Sequence, residues 1–154
     1  MKILFLAYAL LTSTVVPLSF AELKKVAPVV ILGRVTSSSS AFEEDGRIYT
    51  RYILEILDTL RGERSKEIVV RSLGGVAGEF GQRVEGAPRF QNAHDYVLFL
   101  AADSADTYAV VGLWQGAFEV DKDRLRPFAE DGPQLNAKTD FPLSIETLRA
   151  ALRR

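Results

Sequence analysis

His94 is the only histidine of the chain, and Asp95 follows it directly. A histidine and a carboxylate serve as general base and orienting partner in acyl-transfer hydrolases. Adjacency works against that use, because neighbours on an extended segment point to opposite faces. No Gly-x-Ser-x-Gly elbow accompanies the pair. With one histidine and no cysteine, the chain lacks the nitrogen and sulfur donors that zinc prefers. Oxygen donors for calcium occur in Asp121-Lys122-Asp123 and in Asp103 with Asp106. Neither group has the D-x-D-x-D-G spacing of a calcium loop, so both read as solvated turn charges. Two carboxylates meeting across strands are the one acid–base arrangement that linear spacing does not address. No catalytic residue, metal ligand or cofactor site is therefore assigned.

The glycines come next. Five of the 11 fall in "RSLGGVAGEFGQRVEGAPRF", residues 71–90. A phosphate loop would end in Gly-Lys-(Ser/Thr), and a dinucleotide fingerprint needs G-x-G-x-x-G leading into a helix. The segment has neither ending, and Gly86-Ala87-Pro88 follows in place of a helix. A connection this long is usually functional or disordered. Disorder disfavours aromatics, whereas Val76, Phe80, Val84, Pro88 and Phe90 are spaced as if to pack. The segment is expected to be an ordered loop, either covering an open side of the fold or binding a partner. The candidate contact residues are Glu79, Phe80, Arg83, Arg89 and Phe90. A second aromatic set, Tyr108, Trp114 and Phe118, lies at even spacing and would share one face of a strand. Such a row stacks on sugars or bases when exposed and forms core when buried; core is the reading favoured here.

The elements that would carry these residues are extended. "VVILGRVTS" from Val29 has the β-branched density of a buried strand, and polar "SSSSAFEEDG" ends in an Asp-Gly turn. In "RIYTRYILEILDTL", Ile48, Thr50, Tyr52, Leu54 and Ile56 fall on one face, which predicts a long second strand. "EIVVRSL", "HDYVLFLAA" and "TYAVVGLWQGAFEV" give three more strands, with Gly112 and Gly116 marking bends in the last. "SIETLRAALRR" is a terminal helix over residues 144–153 capped by Ser144, with Ile145, Leu148 and Leu152 forming its apolar stripe. Strands without intervening helices predict a mainly β fold: a small five-stranded antiparallel barrel plugged by the C-terminal helix.

The start of the chain is expected to be removed. Lys2 precedes an uncharged run from Ile3 to Phe20, and Ser19-Phe20-Ala21 offers small residues at the positions that a signal peptidase reads. Residues 1–21 are read as a signal peptide and residues 22–154 as one domain. The product is expected to be periplasmic or secreted, with no stable membrane insertion after cleavage. A cysteine-free exported chain must hold together by packing alone. Acidic residues slightly outnumber basic ones, which argues against nucleic acid as a partner.

The succession "VVILGRV", "YTRYILEILDTLRG", "EIVV", "YVLFLAA" and "YAVVGLWQGAFEV" resembles a recurrent exported bacterial domain with no activity to carry over. Its strand order is similar to that of netrin-like barrels of oligonucleotide-binding type, the class of the tissue inhibitors of metalloproteinases. The likeness runs from about residue 29 to 120. Those inhibitors bind the protease zinc through an N-terminal cysteine, and this chain has none. The expectation is an exported, non-enzymatic barrel that binds or supports an unknown protein or glycan of the envelope or extracellular space. The alternatives are a carboxylate-based hydrolase acting on a glycan in the barrel mouth, and a protease-associated module.

Overall fold

Strand pairing follows the burial pattern residue by residue. The computed structural model describes residues 16–104, 106–128 and 141–154. Residues 1–15 of the expected leader lie outside them. The elements run α1 (Phe20–Val26), β1 (Val29–Phe42), β2 (Ile48–Arg61), β3 (Glu67–Leu73), β4 (Gly75–Ala77), β5 (Phe80–Gln82), β6 (Asp95–Ala102), β7 (Tyr108–Val110), β8 (Ala117–Asp121), β9 (Arg124–Pro127) and α2 (Ile145–Leu152). On β2 the predicted face is the buried one: Ile48, Thr50, Tyr52 and Leu54 all point inward.

β1 pairs with β2 along its length and with β6 from Val29 to Arg34, both antiparallel. Register shifts after Val30, Leu32 and Val35 bend β1, so one strand serves two partners. β2 continues to β3, and β6 to β7. The ring closes where Val70 of β3 meets Tyr108 of β7. This contact is parallel, whereas the other four pairings of the ring are antiparallel. The result is a closed five-stranded barrel with most sheet edges removed. The β8–β9 hairpin extends the sheet from β6.

The first strand, read in the sequence as Val29 to Ser37, runs on through the remaining serines to Phe42. Ser38, Ser39 and Ser40 lie opposite Tyr52, Arg51 and Thr50. The ladder with β2 decides their conformation, since serine side chains contribute little preference of their own. A hydroxyl contact of 2.8 Å joins Ser40 Oγ to Thr50 Oγ1.

Two apolar cores share the wall made by β1 and β6. The inner core fills the barrel with Tyr52, Leu54, Tyr96, Leu98, Trp114 and their neighbours. The outer core lies on the other face, where Val30, Val97 and Phe99 meet Leu23 of α1 and Leu148 of α2. The C-terminal helix forms as expected, with a Ser144–Thr147 capping box. Its position differs: α2 covers the outside of the barrel rather than plugging its interior. Lys24 Nζ of α1 donates to Ala151 O at 3.3 Å, and Arg149 of α2 pairs with Asp58 of β2 at 2.5 Å. The apolar stripe of this eight-residue helix finds an already apolar outer wall, while the barrel interior is filled by aromatic rings.

The fifth predicted strand is broken. β7 ends at Val110, Gly112 and Leu113 take left-handed φ values of 69° and 61°, and Leu113–Gly116 is a 3-10 turn before β8. Gly116 permits this sharp return, because a Cβ there would stand 2.4 Å from Val111 O. Even spacing across the break therefore loses its meaning. Trp114 belongs to the inner core and Phe118 to the outer one, with Tyr108 packed at the edge of the inner core. Among the described residues, no helix is long and apolar enough to cross a membrane.

Candidate binding surface

The glycine-rich segment divides into two halves with opposite fates. Its first half, β4–β5, is a small antiparallel ribbon turning at Gly78, whose φ is +61°. The ribbon is fastened to the β1–β2 hairpin by polar contacts. Ile48 N donates to Gln82 Oε1 at 2.8 Å, Gly74 N to Ile48 O at 2.7 Å, and Thr50 Oγ1 to Gly74 O at 2.7 Å. Close approach at Gly75 is obligatory, since a Cβ there would lie 2.4 Å from Thr50 Oγ1 and 2.5 Å from Ser40 Oγ.

On this ribbon Phe80 is 65% exposed and meets the 52% exposed Phe42 of β1 edge to face, with centroids 5.8 Å apart. Val76, on the opposite face of the ribbon by alternation, is 67% exposed. Of the predicted contact residues, Glu79 sits exposed in the ribbon turn and Arg83 exposed just beyond β5. Phe42 was not among them. Its signal was an aromatic residue at the polar end of a strand, next to a turn.

The second half of the segment turns inward. Gly86 lies on the Trp114 ring, where a Cβ would be 2.6 Å from Cζ3, and its carbonyl accepts from Trp114 N at 3.2 Å. Ser72 Oγ donates to Pro88 O at 2.8 Å. Arg89 is exposed, but Phe90 is only 7% exposed and enters the inner core. Its ring meets Tyr52 at 5.0 Å, Tyr96 at 4.8 Å and Phe128 at 5.6 Å. Phe90 is therefore inaccessible to a partner. An aromatic between two turns reads alike in sequence whether it points in or out, and here the barrel interior needed filling.

A charged network flanks the ribbon's anchor. The Arg71 guanidinium donates to both oxygens of Glu43, at 3.2, 3.1 and 2.6 Å, and to Asp103 Oδ2 at 2.6 Å. It also stacks over Tyr49, 3.6 Å from the ring centroid. Arg51 reaches Glu43 Oε1 at 3.0 Å. The hydrogen bonds from Arg71, helped by those from Arg51, hold the Glu43 carboxyl below its ordinary value. Asp45 is lowered too, first by the backbone N–H of Arg47 and then by the Tyr49 hydroxyl. The hydrogen bonds to Glu43, and after them that to Asp103, in turn raise Arg71 above its ordinary value, so its guanidinium holds its proton still more firmly.

Elsewhere, His94 and Asp95 go separate ways. His94 Nδ1 lies 3.0 Å from Asn92 O, while Asp95 takes a two-point contact from Arg34 at 2.6 and 2.9 Å. Asp121 pairs with Arg126. Among the described residues, no group of three or more histidines and carboxylates is placed to hold a metal ion. No family model and no curated protein matches the chain.

Proposed function

We propose that this is an exported, non-enzymatic β-barrel domain that binds a protein or glycan of the envelope or extracellular space through the β4–β5 ribbon. The observation that carries the reading is the Phe42–Phe80 pair: two aromatic rings held against each other and left more than half exposed. A ring buries a large apolar area at low entropic cost when a partner closes over it, which suits an anchor of recognition. The backbone contacts at Ile48, Gly74 and Gly75 fix the ribbon before any partner arrives, so little ordering entropy is lost on binding.

The hydrolase alternative finds less support. Glu43 and Asp103 share one guanidinium, and a lowered carboxyl is the wrong adjustment for a general acid. Trp114, which would line a sugar site in that reading, packs in the barrel interior. The test is capture. Immobilised wild-type protein is expected to retain a component of native envelope extract, and the double variant Phe42→Ser/Phe80→Ser to lose it with unchanged Tm. Equal retention by the two would remove the ribbon as the interface.

A further inference from the structure

The last residues of the expected leader, 16–21, lie against the domain that follows them. Gln115, in the 3-10 turn, is 7% exposed, and both ends of its side-chain amide serve this segment. Leu18 N donates to Gln115 Oε1 at 2.6 Å, and Gln115 Nε2 donates to Val16 O at 3.1 Å. One side chain thus does for Val16–Leu18 what a sheet edge does for an added strand. Gly112 makes room for Leu18, since a Cβ there would stand 2.5 Å from Leu18 Cδ1. Two residues on, Phe20 meets Phe99 and Phe141 edge to face at 6.2 and 6.0 Å, with Lys24 Nζ 5.9 Å from its ring centroid.

Cleavage after Ala21, where Ser19 and Ala21 are the small residues that a peptidase reads, would strip this segment away. Leu23 and Ala27, both buried in the outer core, hold what remains of α1 in place. Gone are Leu18, Phe20 and both bonds of the segment to the Gln115 amide. The vacated groove has one apolar seat at Gly112, a second between Phe99 and Phe141, and an amide that has lost both partners on the segment. A polar group left unpaired against apolar surface is costly, so the groove favours a new occupant. An acyl chain could fill the seats but has nothing for the amide. A peptide backbone supplies the C=O and the N–H, two residues apart, that Gln115 engages. A second mature copy no longer carries the segment, which leaves another protein as the source.

We propose that removal of residues 1–21 opens a peptide-binding groove at Gln115, whose ligand is an apolar segment of a partner protein with a leucine-like residue two positions before an aromatic one. The inference rests on the export reading and uses none of the residues of the β4–β5 ribbon. The experiment is to express the full chain in a bacterial host, purify the exported protein and determine its N-terminus by intact mass. That protein is then titrated against the fluorescein-labelled peptide Val-Pro-Leu-Ser-Phe-Ala, the sequence of residues 16–21. A start at Glu22 and a saturable rise in anisotropy are the expected results. Gln115→Leu should weaken binding about tenfold, because two hydrogen bonds are lost. The Leu18→Asp peptide should also bind about tenfold more weakly or worse, and this comparison, made on the unaltered protein, decides even if the Gln115 variant does not fold. A Glu22 start without binding, or equal affinity for the two peptides, overturns the proposal. So does displacement of the peptide by an equal concentration of palmitate, which would make the groove a lipid site. An exported chain that still carries residues 16–21 keeps the groove filled and overturns it as well. A chain that never leaves the cytoplasm removes the export reading and the inference with it, whereas a Glu22 start without binding removes the inference alone.

Discussion

The ribbon at Gly75–Gln82 and the plug at Val84–Phe90 come from one glycine-rich stretch, yet they treat the same residue type in opposite ways. Phe80 stands in solvent against Phe42, whereas Phe90 is surrounded by Tyr52, Tyr96 and Phe128. What separates them is the main-chain anchoring. Ribbon contacts are made to the end of the β1–β2 hairpin, beyond the closed part of the barrel, while plug contacts are made to Ser72 and Trp114 at its wall. Glycine serves both halves: at Gly75 it allows a backbone to touch two hydroxyls, and at Gly86 it allows one to rest on an indole. The comparison teaches that a run of glycines marks close approach, and that the partner approached decides between stability and recognition.

The comparison breaks most visibly at the two phenylalanines. Phe90→Ala should cost about 3–5 kcal/mol in urea unfolding, as expected for an emptied aromatic site, while Phe80→Ala should stay within about 0.5 kcal/mol. Similar losses for the two would mean that the ribbon is part of the core. Next come the glycines of each half. Gly86→Ala combines a positive φ of +79° with a clash against Trp114, and a loss of roughly 2–3 kcal/mol is expected. Gly78→Ala keeps a positive φ of +61° but meets nothing within 4 Å, so only about 1 kcal/mol should be lost. Thermal melts of the pair measure the difference directly.

The smallest effect is electrostatic. Because Glu43 is lowered in the folded state, its contribution is present above its unfolded value near 4.5 and fades as pH falls through the folded value. The gap in Tm between wild type and Glu43→Gln should therefore be full at neutral pH and shrink on acidification below pH 4.5. A gap that persists unchanged at low pH would show that Glu43 acts through packing instead of charge.

Much of this architecture could be read from period-two patterning. β2 was legible because Ile48, Thr50, Tyr52 and Leu54 alternate with residues that tolerate water, and β6 because Tyr96–Leu100 is apolar without interruption. α2 was legible from Ser144 and its stripe, though its seat was not. The serines of β1 were misleading, since their extended state is imposed by β2 across the ladder. The even spacing of Tyr108, Trp114 and Phe118 was misleading for another reason: two left-handed residues at Gly112 and Leu113 restart the count between them. On the candidate surface, Glu79 and Arg83 lie exposed, whereas Val76 and Phe80, whose spacing suggested packing, stand in solvent because the ribbon they sit on is anchored beside the barrel and not over it. Phe42 was hidden because its partner ring lies far along the chain, and Phe90 because inward and outward aromatics share one local pattern.

One strand carries a consequence for how the whole domain comes apart. In β6, Tyr96, Leu98 and Leu100 face the barrel interior while Val97 and Phe99 face the helices outside. Neither side can dissolve without stripping half of that strand's neighbours, so inside and outside must melt together as a single cooperative unit. Its amides, shielded from both directions, should be the last in the protein to trade their hydrogens with heavy water.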